Sequence, residues 1–306
     1  MTLPEGFTLI TLTGPTGSGK SAVAVGLARH LGCHIISADS RQIYKGIPIG
    51  TAAPTREQLA VVPHHFVGAL ELDDYYSAAQ FESDVMALLP ELARESRYAV
   101  MCGGSMMYVD AVNRGIDELP TISAQTRCRA AAIFSEEGRE GVIARLRVLD
   151  PAYLDTVDLN NHKRLVHALE ICMEACRPYS ELRTGQTKSR HFRRVMLATT
   201  LPRELLFDRI NRRVDAMIAE GLEDEARAVY HLRHLNSLNT VGYKEMFAMI
   251  DGTMDRTTAI ERMKKNTRVY AKKQLTWLKK RPEYTLIEPT LDAALRALDV
   301  VAQSSE

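Results

Sequence analysis

The sequence is short of the features that mark membrane-spanning, secreted and disulfide-bonded proteins. Its 306 residues contain no apolar run of the roughly twenty residues needed to cross a bilayer, and the N-terminus lacks the basic segment of a secretory signal. The five cysteines are odd in number and form no C-x-x-C pair, which excludes a complete disulfide framework. Cys172 and Cys176 have helical spacing, and we expect both to pack in a core. These absences predict a protein without a membrane partner, in the reducing cytoplasm.

A large excess of charge is also absent. The formal net charge is +1 at pH 7, which gives no overall sign of a polyanionic partner. The charge is uneven, however, because residues 1–115 contain eight Lys or Arg and eleven Asp or Glu, a balance of −3, so the remainder carries +4. Any nucleic-acid surface is therefore predicted to lie mainly in the later part of the chain.

What the sequence does contain is a complete phosphate-binding loop. Residues 7–13 predict a buried strand and residues 22–31 predict a helix. The segment between them reads G-x-x-x-x-G-K-S and consists of Gly14, Pro15, Thr16, Gly17, Ser18, Gly19, Lys20 and Ser21. Its glycines let backbone N–H groups turn toward an anion, and the start of the helix adds its positive dipole end. We expect Lys20 to reach the outer phosphate and the Ser21 hydroxyl to bind Mg²⁺, whereas the phosphate compound itself stays open.

Two further predicted strands end in polar or small residues. Residues 33–38 predict a second buried strand that ends at Asp39, and residues 98–102 predict a third that ends in Gly103, Gly104 and Ser105. Ligands of parallel α/β sheets bind outside the carboxyl ends of the strands, so these residues are expected to face the same crevice as the phosphate loop. For Asp39 a second interpretation, the N-cap of a helix, is equally consistent with its position.

The segments between these strands are less informative. Residues 45–54 are dense in Gly and Pro and predict a loop. His64 and His65 are expected to be neutral, hydrogen-bonded side chains at a strand edge rather than ligands. Residues 77–94 have apolar side chains at a helical period and predict a helix.

The alternation of strands and helices stops at about residue 116. Helical patterns with a polar joint at residues 136–138 follow, and a strand pattern returns only at residues 195–200. The simplest interpretation is an α/β core formed by residues 1–115 and 191–306, interrupted by a helical insertion of residues 116–190. The predicted fold class is therefore a P-loop NTPase-like parallel sheet with a mostly helical inserted domain.

The last part of the chain concentrates positive charge. Residues 203–219 predict a long helix with Arg209 and Arg213 on one face, and residues 257–281 predict another. Residues 262–281 include nine basic and no acidic side chains. Such a run is often a solvated face, but the absence of acidic side chains favours polyanion binding.

Two classes of function are compatible with the phosphate loop. A nucleotide switch or motor needs a second strand that ends in an Mg²⁺-binding Asp. A group-transfer enzyme, such as a small-molecule or nucleoside kinase, places an acceptor over the crevice with Asp39 as base. The third predicted strand ends in Gly-Gly-Ser rather than Asp, which favours group transfer.

Several motifs outside the loop resemble those of the tRNA dimethylallyltransferases. In chain order they are I-I-S-A-D-S-R-Q-I-Y from residue 35, K-G-I-P-I-G-T-A-A-P from residue 45, P-H-H from residue 63, G-G-S-M-M-Y from residue 103, V-G-Y-K-E from residue 241 and T-R-V-Y-A-K-K-Q-L-T-W-L from residue 267. The blocks D-S-x-Q, G-G-[ST]-M-x-Y and T-R-x-x-A-K-[RK]-Q-x-T-W are specific to this family, whereas many families share the loop. Without the zinc-finger extension of eukaryotic members, the pattern resembles the bacterial type.

The resemblance implies transfer of a dimethylallyl group from dimethylallyl diphosphate to the exocyclic amine of the adenosine 3′ of a tRNA anticodon. The loop and Mg²⁺ would then hold pyrophosphate rather than ATP, and no nucleotide would be consumed. By the same resemblance Asp39 accepts a proton from the attacking amine or hydrogen-bonds it. The Ser105 hydroxyl, where Thr is more usual, lies near the bridging oxygen of the leaving group, and Arg213 clamps the diphosphate. A kinase of the P-loop class remains the alternative.

The resemblance also implies a set of tRNA-binding residues, and we expect the enzyme to be a monomer. The set is Asp39, Ser40, Arg41, Gln42, Ser105, Arg127, Asn161, His162, Lys163, Arg164, Leu165, Arg268 and Lys272. Three positions depart from the family pattern, because Ala53 stands where Lys is usual, His162 where Pro is frequent and His167 where Arg is frequent. These departures bear on substrate affinity more than on the type of reaction.

Overall fold

A computed structural model describes residues 3–303. Within that range the strands are β1 (Thr8–Thr13), β2 (Ile35–Ser37), β3 (His64–His65), β4 (Tyr98–Cys102), β5 (Arg193–Thr199) and β6 (Thr285–Ile287). They form a single sheet in the order β3-β2-β4-β1-β5-β6, and every strand pair in it is parallel. The predicted α/β fold class with a parallel sheet is confirmed.

The helices connect these strands and also form most of the remaining structure. In chain order they are α1 (Lys20–Leu31), α2 (Pro48–Thr51), α3 (Arg56–Val61), α4 (Ala78–Leu92), α5 (Met106–Arg114), α6 (Ala124–Leu149), α7 (Pro151–Leu154), α8 (His162–Ala175), α9 (Tyr179–Leu182), α10 (Arg203–Ala219), α11 (Leu222–Val229), α12 (Tyr243–Ile250), α13 (Arg256–Leu278) and α14 (Leu291–Gln303). No helix within residues 3–303 is both long and apolar enough to cross a membrane.

Strand β1 lies at the centre of the sheet, and this position sets the place of the phosphate loop. All six residues of β1 are buried, as expected for a parallel strand covered on both faces. Leu9 packs in a core with Phe81 of α4, while its neighbour Ile10 packs on the other face with Leu27 of α1. Since β1 pairs with β4 and β5, and β4 pairs with β2, the loops that follow β1, β2 and β4 open at the same edge.

The chain divides into two compact units. One consists of the described residues up to Asn113 and from Arg190 onward, and the other is Arg114–Ser189. The second unit is helical and has its own core, in which Val142 and Leu146 of α6 pack against Leu165 and Leu169 of α8. Helix α6 is interrupted at the predicted joint, where Gly138 takes a positive φ of 65°.

The segment of residues 45–54 is not the plain loop predicted from its composition. Pro48–Thr51 forms the short helix α2, and the Glu225 carboxylate accepts the N–H groups of Ile49 and Gly50, each at 2.8 Å. The Tyr243 hydroxyl also donates to Glu225, and a Cβ at position 50 would overlap the Tyr243 ring. Side chains of α11 and α12 therefore stabilise this helical turn, and the composition of residues 45–54 alone does not reveal these contacts.

Two smaller predictions have clear outcomes. His64 and His65 form the edge strand β3, where the His64 Nδ1 is hydrogen-bonded to the Val62 carbonyl at 2.7 Å and the His65 Nε2 to the His34 Nδ1 at 3.0 Å. This confirms hydrogen-bonded side chains at a strand edge. Burial lowers the pKa of both histidines, which favours their neutral forms. Cys172 packs in the core of the helical unit as predicted. Cys176 is exposed, because it lies beyond the last turn of α8 in a left-handed conformation with φ 52°.

Candidate active site

The candidate site lies at the sheet edge where β1, β2 and β4 end. Gly14 to Ser21 follow β1, Asp39 follows β2, and Gly103 to Ser105 follow β4. The parallel pairing of these strands brings the three segments together, as the rule for ligand sites in α/β sheets predicts. Asp39, Lys20 and Arg213 are close enough for their charges to act on one another.

The last residue of β5, Thr199, supports the phosphate loop through its hydroxyl. The hydroxyls of Ser18 and Thr199 are hydrogen-bonded at 2.6 Å, and Thr199 also donates to the carbonyl of Thr13 at 3.3 Å. Gly14 has φ 145°, and a Cβ there would overlap the Thr199 hydroxyl. The Ser18 side chain is buried and used in this way, and its backbone N–H donates to the Pro15 carbonyl at 3.1 Å, so Ser18 serves the shape of the loop. The sequence pattern did not identify Thr199 as a support of the loop.

Lys20 is the first residue of α1 and lies in a desolvated environment. Its Nζ donates to the Pro15 carbonyl at 3.5 Å. Burial lowers the pKa of Lys20, the positive charge of Arg213 acts in the same direction, and the Asp39 carboxylate opposes the shift. Burial likewise lowers the pKa of Arg213, against the effects of Asp39 and Glu220. Lys20 and Arg213 are thus two desolvated cations beside the phosphate loop, and a bound anion would favour their charged forms.

Asp39 lies at the end of β2 as predicted, but the alternative interpretation of its position, the N-cap of a helix, is wrong because a turn follows it. Its Oδ1 accepts the N–H groups of Arg41 at 2.9 Å and Gln42 at 3.3 Å, so it caps a turn rather than a helix. Its charge also acts on Lys20 and Arg213. One carboxylate oxygen therefore organises the loop after β2, while the group as a whole faces the site.

Ser105 and Ser40 connect the loops that follow β4 and β2. The Ser40 N–H donates to the Ser105 Oγ at 2.9 Å, and that hydroxyl donates to the Ser40 Oγ at 3.2 Å. The Gln42 side chain accepts from Ser37 at 3.1 Å and donates to the carbonyls of Thr51 and Ala52. The Gln42 amide, predicted to bind tRNA, is therefore already engaged within the fold.

Arg213 and Arg209 of α10 both approach the phosphate loop. The Arg213 Nη1 donates to the Thr16 hydroxyl in a long hydrogen bond of 3.4 Å, which places the guanidinium beside the loop. Arg209, one turn earlier on the helix, places its Nη1 close to Gly19. Both arginines of the predicted basic face thus reach the loop.

Ser21 presents an exposed hydroxyl beside Lys20 at the start of α1. Among the residues described, no group of three or more His, Cys, Asp or Glu side chains could hold a metal ion. A divalent ion here would take most of its ligands from a diphosphate and water, as Mg²⁺ usually does. The exposed hydroxyl fits the role of the protein ligand in such a set.

Helix α13 contributes two side chains to the site that sequence reasoning missed. Gln274 accepts the Thr16 N–H at 2.8 Å and donates to the Gly104 carbonyl at 2.8 Å. The Tyr270 hydroxyl donates to the same carbonyl at 3.3 Å, and burial raises the pKa of Tyr270 to about 12. The available signal was the T-R-V-Y-A-K-K-Q block, which contains both residues but does not show what they touch.

The other basic side chains of α13 and of the residues just after it are partly paired with groups on other elements. Lys264 contacts Asp215 at 2.8 Å and Arg281 contacts Asp110 at 2.7 Å. Arg268 donates to Asn211, and the Lys272 ammonium lies 5.6 Å from the centre of the Phe207 ring; both were predicted to bind tRNA. Some basic side chains of residues 262–281 therefore have acidic partners on α5 and α10, although that segment contains no acidic residue itself.

The helical unit contains the remaining predicted tRNA-binding residues. Asn161 caps α8 through its side chain, and the His162 ring stacks on Phe134 with 5.3 Å between ring centres. Lys163 and Arg164 are exposed in the first turn of α8, and Arg127 of α6 donates to the Ile122 carbonyl at 3.4 Å. The Leu165 side chain is buried in the core of this unit, so it does not present itself to a ligand.

Comparisons with known proteins agree with one another. The sequence model described as IPP transferase matches residues 42–281. A tRNA dimethylallyltransferase from Bacteroides thetaiotaomicron is 52% identical over 282 residues, which cover 92% of each chain. The crystal structure of a tRNA isopentenylpyrophosphate transferase from Bacillus halodurans is 33% identical, with a TM-score of 0.69 over 98% of this chain and 96% of that one. A eukaryotic dimethylallyltransferase structure, at 23% identity and a TM-score of 0.79 over 97% and 80% of the two chains, shares the fold.

Proposed function

The chain belongs to the IPP transferase family and transfers a dimethylallyl group to tRNA, and we propose that it modifies the exocyclic amine of the adenosine 3′ of the anticodon. The proposed donor is dimethylallyl diphosphate, whose diphosphate group is released as pyrophosphate when the dimethylallyl group is transferred. No observation favours the alternative of a kinase.

The observation that carries this proposal is the placement of two desolvated cations at the phosphate loop near Asp39, because the Lys20 Nζ donates to the Pro15 carbonyl and the Arg213 Nη1 donates to the Thr16 hydroxyl. Burial lowers the pKa of both Lys20 and Arg213, and the negative charge of Asp39 acts on both in the opposite direction. This arrangement suits a reaction in which negative charge develops on a diphosphate at one side while a proton leaves an amine at the other. Preorganised charges stabilise a transition state most where charge develops during the reaction.

Each step of the proposed transfer has a group on this chain to assist it. The allylic C–O bond breaks, and its electron pair moves to the bridging oxygen of the diphosphate, which the loop N–H groups, Lys20 and Arg213 stabilise. The adenine nitrogen attacks the allylic carbon and forms the new C–N bond, and the released proton goes to the Asp39 carboxylate. Ser105, fixed by Ser40 at 2.9 Å, is assigned to orient the leaving group.

Mg²⁺ is the proposed cofactor, with the Ser21 hydroxyl as its protein ligand. When bound, it would neutralise part of the diphosphate charge. The acceptor adenine must leave the anticodon-loop stack to reach Asp39, which costs less from a single-stranded loop than from a duplex.

The proposed tRNA contacts are distributed over both units. In the α/β unit they are Asp39, Ser40, Arg41, Ser105, Arg268 and Lys272, and in the helical unit they are Arg127, Asn161, His162, Lys163 and Arg164. The positive charges of the Arg and Lys side chains suit phosphates. The buried side chain of Leu165 and the engaged amide of Gln42 are not among them. We further propose that the enzyme acts as a monomer in the cytoplasm.

The test is mass spectrometry of tRNA nucleosides after incubation with dimethylallyl diphosphate and Mg²⁺. A prenylated adenosine is expected, and pyrophosphate should inhibit in competition with the prenyl diphosphate. ATP should be neither required nor consumed. The proposal fails if no prenylated adenosine forms while ATP is hydrolysed in a manner that depends on Lys20, a result that would support the kinase instead.

A further inference from the structure

Gln274 lies between the phosphate loop and the loop that ends in Ser105. Its side chain is buried, with 4% of its surface exposed. Its Oε1 accepts the N–H of Thr16, and its Nε2 donates to the carbonyl of Gly104, both at 2.8 Å. The two hydrogen bonds fix the orientation of the amide, because only the oxygen can accept and only the nitrogen can donate.

The absence of a side chain at Gly104 leaves the space that this amide occupies. Gly104 cannot be replaced by a larger residue without displacing Gln274, since a Cβ at position 104 would overlap the Nε2 atom. The same Cβ position lies 3.7 Å from the Lys20 Nζ, so the hydrogen bond to Gly104 is made next to the loop lysine. Tyr270, one helical turn before Gln274, donates to the Gly104 carbonyl as well.

The link continues from Gly104 to the acceptor side of the site. Gly104 precedes Ser105, which accepts the Ser40 N–H at 2.9 Å. Ser40 in turn follows Asp39. The buried amide of Gln274 therefore joins the phosphate loop to the Gly104–Ser105 segment. The hydrogen bond between Ser105 and Ser40 extends this link to the segment that carries the proposed base.

We propose that Gln274 is a positioning residue, which sets the separation between the phosphate loop and the Ser105 loop and so aligns the prenyl diphosphate with the attacking amine. This inference rests on the proposed function. Gln274 does not contact the reacting atoms itself. Its effect comes from alignment, and a misplacement of about 1 Å can reduce a rate by about 10²-fold.

Two substitutions test this role. Gln274→Met keeps the length of the side chain but removes both hydrogen bonds, and it should lower kcat/KM for the prenyl diphosphate by about 10- to 100-fold while KM for tRNA stays within about twofold. The matched control is Gln80→Met, which makes the same chemical change on exposed Gln80 of α4 and should behave like the natural enzyme. Melting curves of each variant report whether it folds.

Gln274→Glu supplies a readout that a purely structural role would not move. A protonated carboxyl at this position can accept from Thr16 and donate to Gly104, whereas the carboxylate repels the Gly104 carbonyl. Burial raises the pKa of such a carboxyl, and the positive charge of Lys20 next to Gly104 acts in the opposite direction. The ratio of kcat/KM for this variant to that of the natural enzyme should therefore rise as the pH falls from about 8.5 to about 5.5.

The outcomes separate the two proposals. If the natural enzyme transfers prenyl groups and Gln274→Met does so equally well, the inference is wrong and the function stands. A ratio near one at every pH for Gln274→Glu would also overturn the inference. If the natural enzyme transfers no prenyl group, the proposed function fails, and Gln274 is then judged by pyrophosphate binding in calorimetry. Weakening by about fivefold or more in Gln274→Met supports the positioning role, and unchanged affinity refutes it.

Discussion

The two contributions of Asp39 can be separated by the substitution Asp39→Asn. The amide oxygen of Asn can still accept the N–H groups of Arg41 and Gln42, which Asp39 now accepts at 2.9 and 3.3 Å. Asn cannot accept the proton of the attacking amine, and it removes the negative charge that faces Lys20 and Arg213. We therefore expect turnover to fall by about 10²-fold or more, the range in which general bases contribute.

Asp39→Ala removes the cap as well as the charge. It should show a similar loss of turnover and lower the free energy of unfolding by a further ~1 kcal/mol, the usual effect of removing a cap. Asp39→Asn also removes the charge but keeps the cap, so the difference in unfolding free energy between the two variants measures the cap. Single-turnover prenyl transfer and thermal denaturation measure the two effects, and tRNA binding, expected to stay within several-fold, serves as a control. Near-normal turnover of Asp39→Asn would remove Asp39 from the chemistry.

Three further predictions use other parts of the structure. Because the pKa of Lys20 is lowered in the folded protein, its charged form opposes folding at pH 7. Lys20→Met should therefore keep or raise the melting temperature of the ligand-free protein and abolish the stabilisation by pyrophosphate. A lower melting temperature of the ligand-free variant contradicts this. Replacing Lys163 and Arg164 with Ala should weaken tRNA binding and make the slope of log affinity against log salt shallower by about 0.7 to 0.9 for each phosphate that the variant no longer neutralises, and an unaltered slope shows that neither residue touches phosphate. Glu82 and Arg190 form an ion pair at 2.6 Å with each side chain 7% exposed. Glu82→Leu should thus lower the free energy of unfolding by about 3–5 kcal/mol, and Arg190→Leu in addition should recover part of it; chemical denaturation checks this, and an additive decrease argues against coupling.

The core of the fold was predictable because burial dominates its local pattern. The strand over residues 98–102 and the helix over residues 203–219 have the predicted bounds, since their apolar spacing matches one secondary structure only. Residues 45–54 were different. Their helical turn depends on Glu225 and Tyr243, which lie far along the chain and contribute hydrogen bonds and steric contact that composition does not encode.

The candidate site was partly predictable for a related reason. The rule for parallel sheets gathers Asp39 and Ser105 beside the phosphate loop without any knowledge of side-chain contacts. The roles of Gln274 and Thr199 were not predictable, because they arise from tertiary contacts with backbone and hydroxyl groups on other elements. For the same reason the sequence could not show that the side chain of Leu165 faces a core.

The distribution of thiols gives the protein a chemical asymmetry. Cys33, Cys102 and Cys172 are buried, and burial raises the pKa of Cys33 to about 12 and of Cys102 to about 11, so thiolate-directed reagents should not reach them. Cys128 and Cys176 are exposed, and both belong to the helical unit. A maleimide fluorophore or spin label would therefore attach to that unit alone in the unaltered protein. Cys128→Ser would leave a single attachment point, from which spectroscopy could follow RNA binding without a label at the sheet edge that holds the candidate site.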